Sequence, residues 1–175
     1  GKLATTKIVS ALLLSGVVYT ICIGLYIIIS NSMFGWECTG TSVQMIYSVI
    51  SLVNMNLGKL QFGVAVAGLL SVLSTISLTL FLSSRFKNVV VSLGISLMIC
   101  ILPIVFYIAL PNDVATWVNV FIPSSGVGLV TSILSSLMDF VYLSVGKISV
   151  WLPYIMVGVG IIEIPVFVLG LLEVI

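Results

Sequence analysis

Long uncharged apolar runs alternate with short polar segments along this chain. Such runs are typical of helices that cross a bilayer, because about 20 apolar residues of helix span the hydrocarbon core. The predicted spans are residues 8–30, 61–82, 88–110 and 150–172. The pattern predicts an all-α integral membrane protein with four transmembrane helices, whose outer segments cover residues 31–60 and 111–149.

The second and third predicted spans are joined by a short polar hinge, Ser-Ser-Arg-Phe-Lys-Asn, at residues 83–88. Lysine and arginine in short loops are retained on the cytoplasmic side of a membrane. Arg85 and Lys87 in the hinge are therefore predicted to lie inside. Lys2 and Lys7, which precede the first span, are predicted to lie on the same side.

Residues 126–145 leave the number of spans open. They are long enough to cross, but they contain Asp139 and several serine and threonine residues. We favour an interfacial or re-entrant helix at the outer surface, which places Lys59 and Lys147 outside. The alternative is a fifth span, which moves Lys147 inside and gives a slightly better charge bias.

A shorter apolar patch at residues 43–53 lies in the first outer segment. It is too short to cross the membrane as a helix. We predict an interfacial helix there, with Trp36 and Tyr47 as anchors at the level of the lipid headgroups.

Composition agrees with a membrane protein and excludes several functional classes. The chain has 61% hydrophobic and 6% charged residues, whereas soluble domains carry about 25% charged residues. The lipid bilayer is therefore an expected partner, and the net charge of +1 gives no reason to expect a nucleic acid. There is no histidine and no CxxC spacing among the three cysteines, so we expect no metal site. No phosphate loop or catalytic set is present, so we expect neither a cofactor nor enzymatic activity in this chain.

Each predicted span carries small and polar residues at helical spacing. These residues have two explanations that are compatible with each other. Small residues and hydroxyl groups allow helices to pack closely and to form hydrogen bonds between helices, or parts of these stripes line a path for a substrate. The candidate intramembrane polar site comprises Glu163, Tyr19, Tyr26, Ser71, Ser74 and Tyr107.

Glu163 is the most informative of these residues, since it lies within the last apolar run, two positions before Pro165. A charged residue at the centre of a transmembrane helix costs about 2.5–3.5 kcal/mol on insertion scales, so it is expected to face protein or water. One hypothesis is a proton or substrate site. The other is a neutral carboxylic acid, hydrogen-bonded to a neighbouring helix or to carbonyl groups freed by Pro165.

The order of several short features resembles the permease subunit of bacterial type-2 ABC exporters. The features are a basic start at residues 1–7, Gly35-Trp36 followed by Gln44, a polar entry at residues 54–61, the hinge at residues 83–88, Leu102-Pro103, Pro123 and Gly146-Lys147. The resemblance implies a six-span permease, of which this chain would be the last four spans. It also implies a bacterial cytoplasmic membrane, a second permease copy and a separate ABC ATPase subunit.

The resemblance also suggests roles for the basic residues. Lys2 and Lys7 would lie near the ATPase contact, and Arg85 and Lys87 would face the ATPase or the lipid headgroups. The function expected from the sequence is thus to form the substrate path of an ATP-driven exporter. The alternatives are a non-transporting membrane scaffold or immunity protein, and a proton-coupled secondary transporter that uses Glu163.

Overall fold

The computed structural model describes residues 2–43, 55–86, 88–122, 142–145 and 147–174. Its elements, in chain order, are α1 (Lys2–Phe34), a 3-10 helix (Trp36–Gly40), α2 (Leu57–Arg85), α3 (Val89–Ala109), α4 (Asn112–Val120), β1 (Tyr142–Val145), β2 (Ile148–Trp151) and α5 (Leu152–Val174). Within these residues, α1, α2, α3 and α5 are long and apolar enough to cross a membrane. The prediction of a helical membrane protein with four spans is confirmed.

Helix α1 is longer than its apolar run and includes the basic start of the chain, from Lys2 onward. It ends before Gly35, whose φ of 91° is favourable for glycine but strained for other residues. The backbone N–H of Gly35 donates to the carbonyl of Asn31 at 2.9 Å, which satisfies a carbonyl group in the last turn of the helix.

Helix α2 lies at the centre of the bundle, where it contacts α1, α3 and α5. Tyr19 of α1 reaches the carbonyl of Ala65, whereas Ala67 and Ser74 of α2 line a pocket together with α5. At 100° per residue, Ala65 points away from the Ala67 and Ser74 face. Helices α1 and α5 therefore pack on opposite faces of α2.

Helix α4 turns back into the bundle alongside α3. The Nδ2 group of Asn119 lies 3.3 Å from the carbonyl oxygen of Pro103, several residues before the end of α3. Val120 belongs to a buried cluster with Ala67, Leu152 and Met156. Helix α4 thus folds back against α3 and packs into the bundle. The sequence pattern predicts an outer or re-entrant helix later in the chain, at residues 126–145.

The prediction for residues 126–145 is wrong at its end, because Tyr142–Val145 is a β-strand. This strand pairs antiparallel with Ile148–Trp151, with Val145 opposite Ile148. The two-residue connection Gly146-Lys147 and the β-branched residues beside it favour a hairpin. Residues 126–141 lie outside the described residues, and most of the predicted fifth span falls there.

The hairpin also changes the start of the last span. Residues 150 and 151 belong to β2, so α5 begins at Leu152 rather than at residue 150. In the first outer segment, Val43 is buried, while Tyr47 and the rest of the predicted interfacial helix lie outside the described residues. Trp36 is exposed, as a side chain at the headgroup level would be.

Candidate intramembrane polar site

The interface between α2 and α5 is built around small residues of α5. Gly160, Glu163, Phe167 and Gly170 follow one another at spacings of three or four residues and therefore share one face of the helix. A Cβ atom at Gly160 would lie 3.8 Å from the Cβ of Leu70, so the two helices approach closely at that level. Close approach of this kind lets polar side chains reach across a membrane interface.

Ser74 and Glu163 form a direct hydrogen bond across this interface. The Ser74 hydroxyl donates to Oε2 of Glu163 at 2.7 Å. Ser74 is fully buried and Glu163 is half-buried. The carboxyl group thus faces protein rather than lipid, as expected for an ionisable residue in a span.

A small pocket adjoins this hydrogen bond. Ser71 and Ser74 of α2 and Gly160 and Glu163 of α5 line it, together with Val120 at the end of α4. The volume open to the centre of a water-sized sphere is about 10 Å³. The pocket therefore places a carboxyl group and two hydroxyl groups around a space of atomic size inside the bundle.

Three of the six residues in the predicted polar site come together in this pocket, namely Ser71, Ser74 and Glu163. The three tyrosines do not line it. Tyr26 is 67% exposed on α1, and Tyr107 is half-buried on α3. Tyr19 lies on the other face of α2, where its hydroxyl donates to the carbonyl of Ala65 at 3.1 Å.

An amide pair that the sequence analysis did not identify joins α1 to α2. Asn31 and Gln61 donate to each other through their side-chain amides, at 3.3 Å and 3.1 Å. Asn31 is buried. The signal in the sequence was a polar residue at the edge of each of two neighbouring apolar runs.

A second overlooked contact involves Asn119, which is fully buried and donates to the carbonyl of Pro103. The Oδ1 atom of Asn119 has no hydrogen-bond partner among the described residues. Pro103 lies inside α3, and its place in the apolar run is visible in the sequence. However, Asn119, which donates to the Pro103 carbonyl, lies on another helix, so local spacing in the sequence could not identify the contact.

Of the predicted cytoplasmic residues, Arg85 is the last residue of α2 and Lys7 lies near the start of α1. Arg85 is exposed, and its guanidinium carbon lies 5.5 Å from the centre of the Phe81 ring, within the range of a cation–π contact. Phe81 in turn lies 6.2 Å from the Phe167 ring of α5. Lys7 is exposed on α1, whereas Lys87 lies outside the described residues.

The chemistry available to this site is hydrogen bonding and proton exchange through Glu163 and the serine hydroxyls. Among the described residues, no group of three or more histidine, cysteine or acidic side chains is placed to hold a metal ion. Comparison with protein-family models, with curated protein sequences and with solved structures gave no match.

Proposed function

We propose that this chain is a membrane-spanning permease part of an ATP-driven exporter, in which a separate ATPase subunit supplies the energy. The observation that carries the proposal is the Ser74–Glu163 hydrogen bond beside a pocket inside the bundle. A carboxyl group kept within a transmembrane bundle marks a functional site by default. The order of sequence features that resembles type-2 ABC exporters supports the choice of an ATP-driven mechanism.

The α2–α5 interface is suited to form part of a substrate path. Ser74 and Glu163 face each other between the two helices, and glycines on α5 allow α2 to approach closely. Ser74 and Glu163 form a side-chain hydrogen bond across the interface. Hydrogen bonds of this kind contribute on average only about 0.6 kcal/mol in membrane proteins, so ATP-driven movement of a partner has enough energy to break it.

The end of the bundle that carries Arg85 is the proposed side of the ATPase. Arg85 is exposed, and its contact with the Phe81 ring holds the charge in a defined position. A guanidinium group presented in this way suits an acidic side chain of a partner, because arginine binds carboxylates through two parallel hydrogen bonds.

The proposal predicts that an ABC ATPase is encoded next to this gene, and co-purification with that ATPase tests it. The ATPase would carry an affinity tag, and the amount of this chain recovered with it would be measured. We expect Arg85→Gln to reduce recovery several-fold, because the substitution removes the positive charge from the proposed contact. Lys59→Gln, at the opposite end of α2, is the matched control and should leave recovery unchanged.

Two outcomes would contradict the proposal. One is that no ATPase is recovered with the wild-type chain, which would favour a protein that works without ATP hydrolysis. The other is an equal loss for Arg85→Gln and Lys59→Gln, which would remove the assignment of the contact to the Arg85 end.

A further inference from the structure

We propose that the pocket between α2 and α5 is a binding site for one water molecule, held by Glu163 and the two serines beside it. The inference concerns the chemistry of the pocket and does not depend on the exporter proposal. Its starting observations are the size of the pocket, the polar groups that line it and the Ser74–Glu163 hydrogen bond beside it.

The size of the pocket fits a single water. About 10 Å³ is open to the centre of a water-sized sphere, and a buried water requires about 10–15 Å³ by that measure. A hydrated ion or an organic solute is larger than this space. The pocket therefore has room for a single water molecule.

The polar groups supply the partners that a buried water needs, which are usually two to four. Oε2 of Glu163 accepts from Ser74, and the two oxygens of a carboxyl group offer further lone pairs that can accept. The Ser74 hydroxyl has used its one hydrogen, and its oxygen retains capacity to accept. Ser71 lines the same pocket, and a serine hydroxyl oxygen can accept a hydrogen bond.

The rest of the lining makes an empty pocket unfavourable. Val120, Ile122 and Met156 surround the polar groups with apolar surface and supply no hydrogen bonds from their side chains. A carboxyl group in such surroundings loses solvation, and a trapped water restores part of it. A divalent metal ion is a poor alternative, because calcium takes six to eight oxygen ligands and magnesium takes an octahedral set.

Gly160→Ala tests the proposal by filling the space. The new Cβ would have its nearest neighbour in Leu70 at 3.8 Å, an ordinary van der Waals distance, so the helices need not move. The added methyl group removes the room for a water. Gly158→Ala is the matched control, because a Cβ there meets nothing within 4 Å and Gly158 does not line the pocket.

Infrared spectroscopy of the purified full chain provides the measurement. Spectra would be recorded in ordinary water and in water labelled with oxygen-18, which shifts the O–H stretching band of a bound water. The carboxyl band of Glu163 would be assigned by its loss in Glu163→Gln. We expect an isotope-sensitive O–H band in the wild type and in Gly158→Ala, its loss in Gly160→Ala, and a shift of the Glu163 band in Gly160→Ala alone.

The opposite results would overturn the proposal. These are the absence of an isotope-sensitive band in the wild type, or identical spectra for Gly160→Ala and Gly158→Ala. A Glu163 band that shifts when sodium replaces choline in the buffer would show that a cation occupies the pocket instead. If Gly160→Ala does not fold, Glu163→Gln decides, since a water bound to residue 163 must change its O–H frequency when the carboxyl becomes an amide.

Discussion

At the scale of single residues, glycines determine how closely α2 approaches its neighbours. The Tyr19 ring lies directly over Gly68, where an added Cβ would be 3.0 Å from Cζ and closer still to the hydroxyl oxygen. On the other side of the bundle, a Cβ at Gly170 would lie 3.1 Å from Cε2 of Phe81. Both glycines accept an aromatic ring that a larger residue would displace.

Gly68→Ala is therefore expected to destabilise the protein. The new methyl group would push Tyr19 away and lengthen its hydrogen bond to Ala65. Overpacking of this kind costs about 1–3 kcal/mol. The free energy of unfolding would be measured by titrating the protein in mild detergent with a denaturing detergent.

Gly63 lies on the same helix as Gly68, and a Cβ there would meet nothing within 4 Å. Gly63→Ala is therefore the matched control for this prediction. It should be neutral or slightly stabilising, since alanine favours a helix over glycine. Adding Tyr19→Phe to Gly68→Ala should recover part of the loss. Equal unfolding free energies for Gly68→Ala and Gly63→Ala would show that Tyr19 can move aside without loss of stability, which would contradict the prediction.

At the scale of elements, α1 is attached to the bundle through a limited set of contacts. It packs against α2 and the 3-10 helix that follows it, and most of its large apolar side chains are exposed. Lipid tails are as apolar as these side chains, so apolar burial gives little drive for helix association in a membrane. The amide pair of Asn31 and Gln61 should therefore contribute measurably to the position of α1.

A double-mutant cycle with Asn31→Leu and Gln61→Leu tests this contribution. Each single substitution leaves one amide without its partner, and the double substitution leaves none. We expect a coupling free energy of about 0.6 kcal/mol, with an upper bound of about 1.7 kcal/mol. The unfolding titration described for Gly68 provides the measurement.

Ser10 offers a control for the cycle. Its hydroxyl donates to the carbonyl of Thr6 within α1 and is exposed, so Ser10→Ala combined with Gln61→Leu should be additive. Additivity of Asn31→Leu and Gln61→Leu would contradict a stabilising role of the amide pair.

The elements also show what the sequence could predict. Uncharged runs identified four candidate spans, because a helix of about 20 apolar residues is long enough to cross a bilayer. Helix α4 was not recognised, because its burial depends on a contact between Asn119 and Pro103 that joins two elements. The strand at Tyr142–Val145 was taken for a helix, because its pairing with Ile148–Trp151 is a property of both segments.

The same limit applies to the candidate site. Helical spacing predicts that Ser71 and Ser74 share one face of α2, and the cost of a carboxyl group in lipid predicts that Glu163 faces protein or water. In the structure, all three residues line the same pocket. Spacing within a helix does not state which neighbour a face meets. Tyr19 was grouped with these residues for that reason, although it packs on the opposite face of α2.

At the scale of the whole molecule, the exposed apolar surface of the four long helices indicates a multi-pass membrane protein. Arg85 ends α2, and Lys7 lies in the early part of the antiparallel α1, so the two are at the same end of the bundle. Lys59 lies at the opposite end of α2. The positive-inside rule predicts that the Arg85 end faces the cytoplasm, with Lys147 outside.

Cysteine labelling in intact cells tests this orientation. The native cysteines Cys22, Cys38 and Cys100 would be replaced by serine, and single cysteines introduced at the exposed positions Asn88 and Lys147. We expect a membrane-impermeant maleimide to label Lys147→Cys directly and Asn88→Cys only after the membrane is permeabilised. Labelling of Asn88→Cys from outside would show that every span has the opposite orientation to the one predicted. Protection of both cysteines would show that the chain crosses the membrane once more between α4 and the hairpin, as the five-span alternative requires.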